Sequence, residues 1–528
     1  MRKPSRVAVL ATTMIAAIGV GVSGAAIGGA AAAGPSADPV ATLRADLNAI
    51  LANKGLDGAS YGLIVRTASG KVLYEKNADT RLEPASNTKI FTSTTALNVL
   101  GPSYRFNTTV LDDGHRHGSV LVGSLSIRGG GDPTLLATDY DSMAAAVARS
   151  GIRAVTGNLV ADDSFFDNVR LGVGWAWDDE PYYYDAQISG LNVAPNTDYD
   201  TGTVIVDTTP GAVAGVPAHI NLVPATGYVH IVNRTTTTTG THSTIDVERQ
   251  HGNNTIVVNG TIGRGFGTDR EWATVWQPTG YAADVFRRAL RAHGVSVAGR
   301  TLLTKTPAGS TRIATHTSAT LADIYIPFLK LSNNMHAETL VKTMGAVRAG
   351  HGSWPAGLGV MRPVLQGFGV DTATSVQVDG SGLSRMDYIP PRQFSNALVA
   401  VQNRPWFRTW YKALPIAGAP GRFVGGTLEY RMIGTPAQGR VHAKTGSLTG
   451  VSALSGYDVD ADGHRLVFSM IENNVANFDP ETVEDQVAIR LAEFSTRPGA
   501  LHGIPAVPAT RRGPVGVDCR TLPEARVC

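Results

Sequence analysis

The sequence predicts an α/β fold divided by a large β-rich insertion. Three observations carry this. A hairpin signal, "YGLIVRTASGKVLYEKNAD", is followed closely by a helix signal, "KIFTSTTALNVLG". From about residue 106 to 275 the texture changes to short β-rich runs broken by Gly, Asn and Pro. Helical and strand patterns then alternate again to about residue 497.

Residues 1–33 read as a secretory signal peptide. "MRKPSR" is a basic head, the uncharged run after it is rich in small apolar residues, and Ala31 to Ala33 form an A-x-A-like close. The run is also long enough for a retained anchor. Residues 38–105 form the first part of the main domain, with Ser69-Gly70 as the hairpin turn and Gly101 as the helix stop. Residues 106–275 form the insertion, with runs such as "HINLVPATGYVHIVNRTTTTTG" and "NTIVVNGTIGRG". Residues 276–497 complete the main domain. There "AADVFRRALRAHGVSV" is an amphipathic helix ending at Gly294, and "ADIYIPFLKLSNNMHAETLVKTMGAV" is again helical. Residues 498–528 form a tail rich in Pro and Arg, which holds both cysteines, Cys519 and Cys528. In an exported protein such a pair is suited to a small disulfide loop. With no histidine nearby it is not a zinc site by itself.

Composition bounds the function. The chain has 528 residues and a net charge of +3, without a long basic run, which argues against a nucleic-acid partner. Its apolar content is that of a globular protein with a sizeable core.

Three short motifs carry chemistry. The first lies in "LEPASNTKIFTS". If Ser86 opens a helix, Lys89 stands three residues on and shares its face, within reach of the hydroxyl. A helix cap would also place a serine here. The second is "SNN", which exposes Ser332 and Asn334 at a turn between helices. The third is "KTG", Lys444-Thr445-Gly446, on a strand that follows "GRVHA". Each alone is weak, since about one S-x-x-K is expected by chance in a chain of this composition. S-x-x-K, S-x-N and K-T-G each occur once here, in that order. That ordered set marks serine nucleophiles activated by a lysine.

On these motifs the sequence resembles the penicillin-recognising serine enzymes. More narrowly, it resembles the D-alanyl-D-alanine carboxypeptidase/endopeptidases called class C low-molecular-mass penicillin-binding proteins. More than two hundred residues separate Ser86 from Ser332, far more than in class A β-lactamases. "RGGGDPTL" and "DGSGLSR" also look like recurrent segments of that family. The resemblance covers roughly residues 40 to 497. It implies a penicillin-binding-protein/β-lactamase-like transpeptidase domain, an antiparallel sheet flanked by helices, with a large β-rich inserted domain. It implies an exported serine D-Ala-D-Ala carboxypeptidase of the cell envelope, periplasmic or extracellular, with DD-endopeptidase activity beside it. The substrates are peptidoglycan stem peptides, β-lactams acylate it, and no cofactor or metal is needed. Association with the membrane surface or the cell wall fits this setting.

The roles follow from the groups and the resemblance. Ser86 needs a base, and Lys89 serves as one only as the neutral amine, its pKa depressed by burial or by a cation such as Lys444. Ser332 relays the proton to the leaving amine, and Asn334 binds the substrate backbone. The resemblance puts oxyanion donors on the N–H groups of Ser86 and Ser447, after Gly446. Lys444 and Thr445 face the terminal carboxylate, and Arg385 is a further candidate for that charge. A surface salt bridge is the plainer use of Arg385. "GWAWDDEPYYYDAQISGLNVAP" resembles the segment lining a pocket for the amino end of the side chain. There Asp178 binds the amine and Trp175 and Tyr183 are walls, with Asp179, Glu180 and Asp185 as competitors. Two other classes compete: a β-lactamase or esterase on the same scaffold, and a non-catalytic cell-wall binding protein.

Overall fold

The computed structural model describes residues 38–497 and 503–507. The signal-peptide segment, most of the tail and both cysteines lie outside the described residues. Within the described residues no helix is long and apolar enough to cross a membrane.

The main domain is built on a five-stranded antiparallel sheet. Its spatial order is His442–Leu448, Val451–Val459, Arg465–Asn473, Ser60–Thr67 and Val72–Lys76. The first and last parts of the chain therefore meet in one sheet. The hairpin around Gly70 forms as the sequence predicts, with Gly70 in the left-handed region at φ 92°.

Both faces of the sheet are covered, so its central strands lack a polar face. Leu454, Phe468 and Met470 face the N-terminal helix Pro39–Ile50 and the C-terminal helix Glu481–Glu493. Ala453, Tyr457, Val467 and Ile471 face the opposite way, towards a helical layer. The period of two is the strand's own alternation. The helical layer includes Thr88–Val99, Leu321–Lys330, Asn334–Ala349, Trp354–Gln366 and Pro391–Val401. Thr88–Val99 is buried almost all round and sits at its centre, which explains its weak amphipathic pattern.

The insertion has its own core. Val110, Leu121, Ile127, Val147, Val204, Ile256 and Phe286 belong to one apolar cluster. Its extent differs from the sequence-based boundary at 275. Thr311–Thr317 pairs with Asn107–Asp112, and Thr301–Leu303 pairs with Leu159–Asp162. The helix Pro278–Ala292 packs its apolar face into the same cluster. We therefore place the end of the insertion near residue 317. The physical reason for the difference is that an amphipathic helix does not reveal which of two cores its apolar face covers.

Candidate active site

Ser86 lies in the tight turn Ala85–Asn87, directly before the helix Thr88–Val99. Ala85 holds the left-handed region at φ 46°, a strain common where a backbone is held for function. Two glycines let other segments close on this turn. A Cβ on Gly382 would stand 1.8 Å from the Ala85 carbonyl oxygen. A Cβ on Gly446 would stand 2.8 Å from the Pro84 oxygen and 3.1 Å from the Ser86 nitrogen. The glycine of K-T-G thus lets the edge strand His442–Leu448 lie against the backbone that bears Ser86.

Lys89 is fully buried and makes three bonds. Its Nζ donates to Ser86 Oγ at 2.6 Å, to Asn334 Oδ1 at 2.6 Å and to the Ser381 carbonyl at 2.9 Å. Burial is the main cause that lowers its pKa, to about 7, while Asp379 and Glu338 act the other way. The depression comes first from desolvation and not from the Lys444 cation. Lys444 is also fully buried, and its pKa is driven well down by burial and then by Lys89.

Ser332 sits at the break between helices Leu321–Lys330 and Asn334–Ala349, with φ 60°. Its Oγ accepts a bond from Lys444 Nζ at 2.8 Å. Asn333 caps the second helix by accepting from the His336 N–H, and its Nδ2 donates to the Tyr199 carbonyl and to Asp200. The inserted domain is thereby fastened to the turn that carries Ser332. Asn334 Nδ2 donates to the Tyr184 carbonyl at 2.8 Å, which fixes its amide with Oδ1 towards Lys89. Thr445 Oγ1 bonds Thr427 Oγ1, and Ser447 pairs across the strand with Ser452.

Ser86, Lys89, Ser332, Asn334 and Lys444 are therefore linked in one constellation, with Thr445, Gly446 and Ser447 continuing the Lys444 strand. Arg385 has a different setting from a free anion binder. It donates to Glu83 Oε2 and to the Thr449 carbonyl, each at 3.0 Å, so its charge already ties two segments together. Trp175 is half-buried and donates its indole N–H to Asp379 at 3.0 Å. Tyr183 packs edge-on against Tyr184 at 5.4 Å.

The acidic segment sorts by burial. Asp178 is exposed, whereas Asp179, Glu180 and Asp185 are buried. Glu180 is paired with Arg249 and with His251, and Asp179 accepts from the Tyr184 hydroxyl. Asp185 is pushed well above the usual carboxylate range by burial and by Asp179 and Glu180. Of these four, Asp178 alone faces solvent.

Sequence reasoning missed Glu338, Asp379 and the Ser381 carbonyl. "DGSGLSR" drew attention for its arginine, although its acidic residue beside two glycines was the stronger signal of a held turn.

With this geometry in view, a model of the D-Ala-D-Ala carboxypeptidase 3 (S13) family matches residues 43–494. The chain belongs to that family. The S13 assignment agrees with a D-alanyl-D-alanine carboxypeptidase of Actinomadura sp. (strain R39). That relative is 44% identical over 478 residues, 90% of this chain and 88% of the relative. The D-alanyl-D-alanine carboxypeptidase DacB of Haemophilus influenzae is 29% identical over 82% of this chain and 89% of its own. The crystal structure of penicillin-binding protein 4 (DacB) from Haemophilus influenzae superposes with a TM-score of 0.71 at 27% identity. It covers 84% of this chain and 97% of that one. A second structure of that protein holds a β-lactam. The S13 fold here is the penicillin-binding-protein type, with a large insertion.

Proposed function

We propose that Ser86 is the acylated nucleophile and Lys89 its base. The chain is a serine D-Ala-D-Ala carboxypeptidase of the S13 family, of the class C penicillin-binding type. It acts on peptidoglycan peptides through an acyl-enzyme and is acylated by β-lactams. The observation that carries the assignment of roles is the 2.6 Å contact between the Lys89 amine and the Ser86 hydroxyl.

The neutral Lys89 amine takes the Ser86 proton as Oγ attacks the carbonyl of the penultimate D-Ala. The oxyanion meets the N–H groups of Ser86 and Ser447, donors fixed before the charge develops. Ser332, held by Lys444, relays the proton that Lys89 took from Ser86 to the amine of the departing D-Ala, which leaves Lys89 neutral again. Water then attacks the ester as Lys89 takes its proton, and Lys89 returns that proton to Ser86 Oγ as the serine is freed. Lys444 and Thr445 face the terminal carboxylate of the peptide, while Arg385 acts on this region through Glu83 and Thr449. Asp178 receives the free amine of the side chain beside Trp175 and Tyr183.

Export to the cell envelope, association with the membrane surface or wall, and DD-endopeptidase action complete the proposal. They are supported by the basic and apolar N-terminal segment and by substrates that lie outside the membrane. The test is product analysis by mass after incubation with a muramyl pentapeptide and with a cross-linked dimer. Loss of one D-Ala from the pentapeptide is the expected result, and cleavage of the dimer adds the endopeptidase. Rapid release of a penicillin acyl group without peptide cleavage would instead indicate a β-lactamase.

A further inference from the structure

A neutral amine has two N–H bonds and one lone pair. Lys89 has three partners, and its catalysis depends on which of them the lone pair faces. The Asn334 oxygen and the Ser381 carbonyl are acceptors only. Among these three partners Ser86 alone has a proton to give. Filling the two acceptors with N–H bonds leaves the lone pair aimed at Ser86.

The Ser381 carbonyl is held by a buried clamp. Glu338 is fully buried on the helix Asn334–Ala349, one turn after Asn334. Its carboxylate accepts from the Ser381 N–H at 2.6 Å, from the Gly380 N–H at 3.0 Å and from the Trp354 indole at 2.6 Å. On the other side of the turn Asp379 accepts from the N–H groups of Gly382 and Ser384, at 2.7 and 2.8 Å. One helix thus sets two of the three Lys89 contacts, directly through Asn334 and indirectly through Glu338.

We propose that Glu338 is a positioning residue for the general base, fixing the Ser381 carbonyl so that the Lys89 lone pair points at Ser86. The proposal rests on Lys89 as the base. Glu338 also places charge near the amine. Facing Lys89 are Lys444 from the edge strand, Asp379 from the turn region and Glu338 from the helix; Asp387 lies against Asp379 and the Thr88 hydroxyl, and the Lys89 helix carries no other charge. Burial and then Asp379 raise Glu338 to about 7, against the Ser381, Trp354 and Gly380 donors, which favour its carboxylate form. Asp387 is driven well above the usual range by burial and by Asp379.

The experiment follows acylation by benzylpenicillin and peptide turnover from pH 5 to 9 in wild type, Glu338→Gln, Glu338→Asp and Lys89→Arg. Glu338→Gln removes the charge and puts an NH2 against N–H donors. Its plateau rate is expected to fall at least about tenfold, carried by kcat. Its acid limb is expected to move down by roughly one unit, because loss of a negative charge favours the neutral amine. Glu338→Asp keeps the charge on a shorter arm, so its plateau should fall while its acid limb stays. A Glu338→Gln rate and limb like wild type would overturn the proposal, as would a loss carried by KM with the limb unmoved. If Glu338→Gln does not fold, Glu338→Asp decides: a kcat loss with an unmoved limb supports the role, and a wild-type plateau or a KM-borne loss overturns it. Normal acylation by Lys89→Arg would discard the base itself, a failure distinct from that of Glu338.

Discussion

The Lys89 amine lies 2.6 Å from the Ser86 hydroxyl, three residues earlier in the chain. One tight turn running into a helix brings nucleophile and base together without a long-range contact. The long-range contacts serve instead to bury and orient the amine. Burial lowers its pKa to about 7.

That value sets a pH profile. Below it Lys89 is an ammonium and accepts no proton from Ser86. Acylation by a penicillin should therefore rise with pH and level off above about 7. Lys89→Arg keeps the charge but holds its proton across this range. It should acylate slower by roughly two or more orders of magnitude, measured by stopped-flow or intact mass. A near-normal rate would mean that another group deprotonates Ser86.

Asp178 is exposed while its acidic neighbours are buried. Asp178→Asn should weaken turnover of a peptide with a free side-chain amine by roughly one to two decades and spare the acetylated analogue. Penicillin acylation should change little. Equal losses on both peptides would make Asp178 structural.

A second buried acidic group lies beneath the sheet. Glu472 is pushed well above the usual range by burial and then by Glu484, which Arg431 and Ser452 hold. A carboxyl whose folded pKa is raised adds stability below its unfolded value of 4.5 and loses it as pH rises through the folded value. Glu472→Gln should therefore raise Tm at pH 9 relative to wild type, with the difference fading towards pH 5. A variant destabilised equally at both pH values would contradict the assignment.

The sequence made local features legible and left the long-range ones hidden. The hairpin around Gly70, the helix from Thr88 and the break at Ser332 follow from turn glycines and apolar spacing within short windows. Ser86, Lys89, Ser332, Asn334 and Lys444 stood out because their motifs are short and occur in one order. The end of the insertion is hard to read from sequence, because Pro278–Ala292 reads the same whichever core it covers. Glu338 was invisible for a related reason. A buried glutamate on a helix is unremarkable until the chain places the Ser381 N–H against it, 43 residues away. For Arg385 the sequence leaves anion binder and salt bridge both open, because nothing local announces Glu83, which is 302 residues distant. Trp175 read as a wall, and its bond to Asp379 spans 204 residues.

The most direct test is the site of covalent labelling. Wild type and Ser86→Ala are incubated with benzylpenicillin, digested, and the adduct is located by mass spectrometry, with circular dichroism to confirm that both are folded. Ser86 as the acylated nucleophile requires one penicilloyl group on the peptide that contains Ser86, and neither adduct nor peptide hydrolysis in folded Ser86→Ala. An adduct on another serine, or labelling that persists in Ser86→Ala, would contradict it.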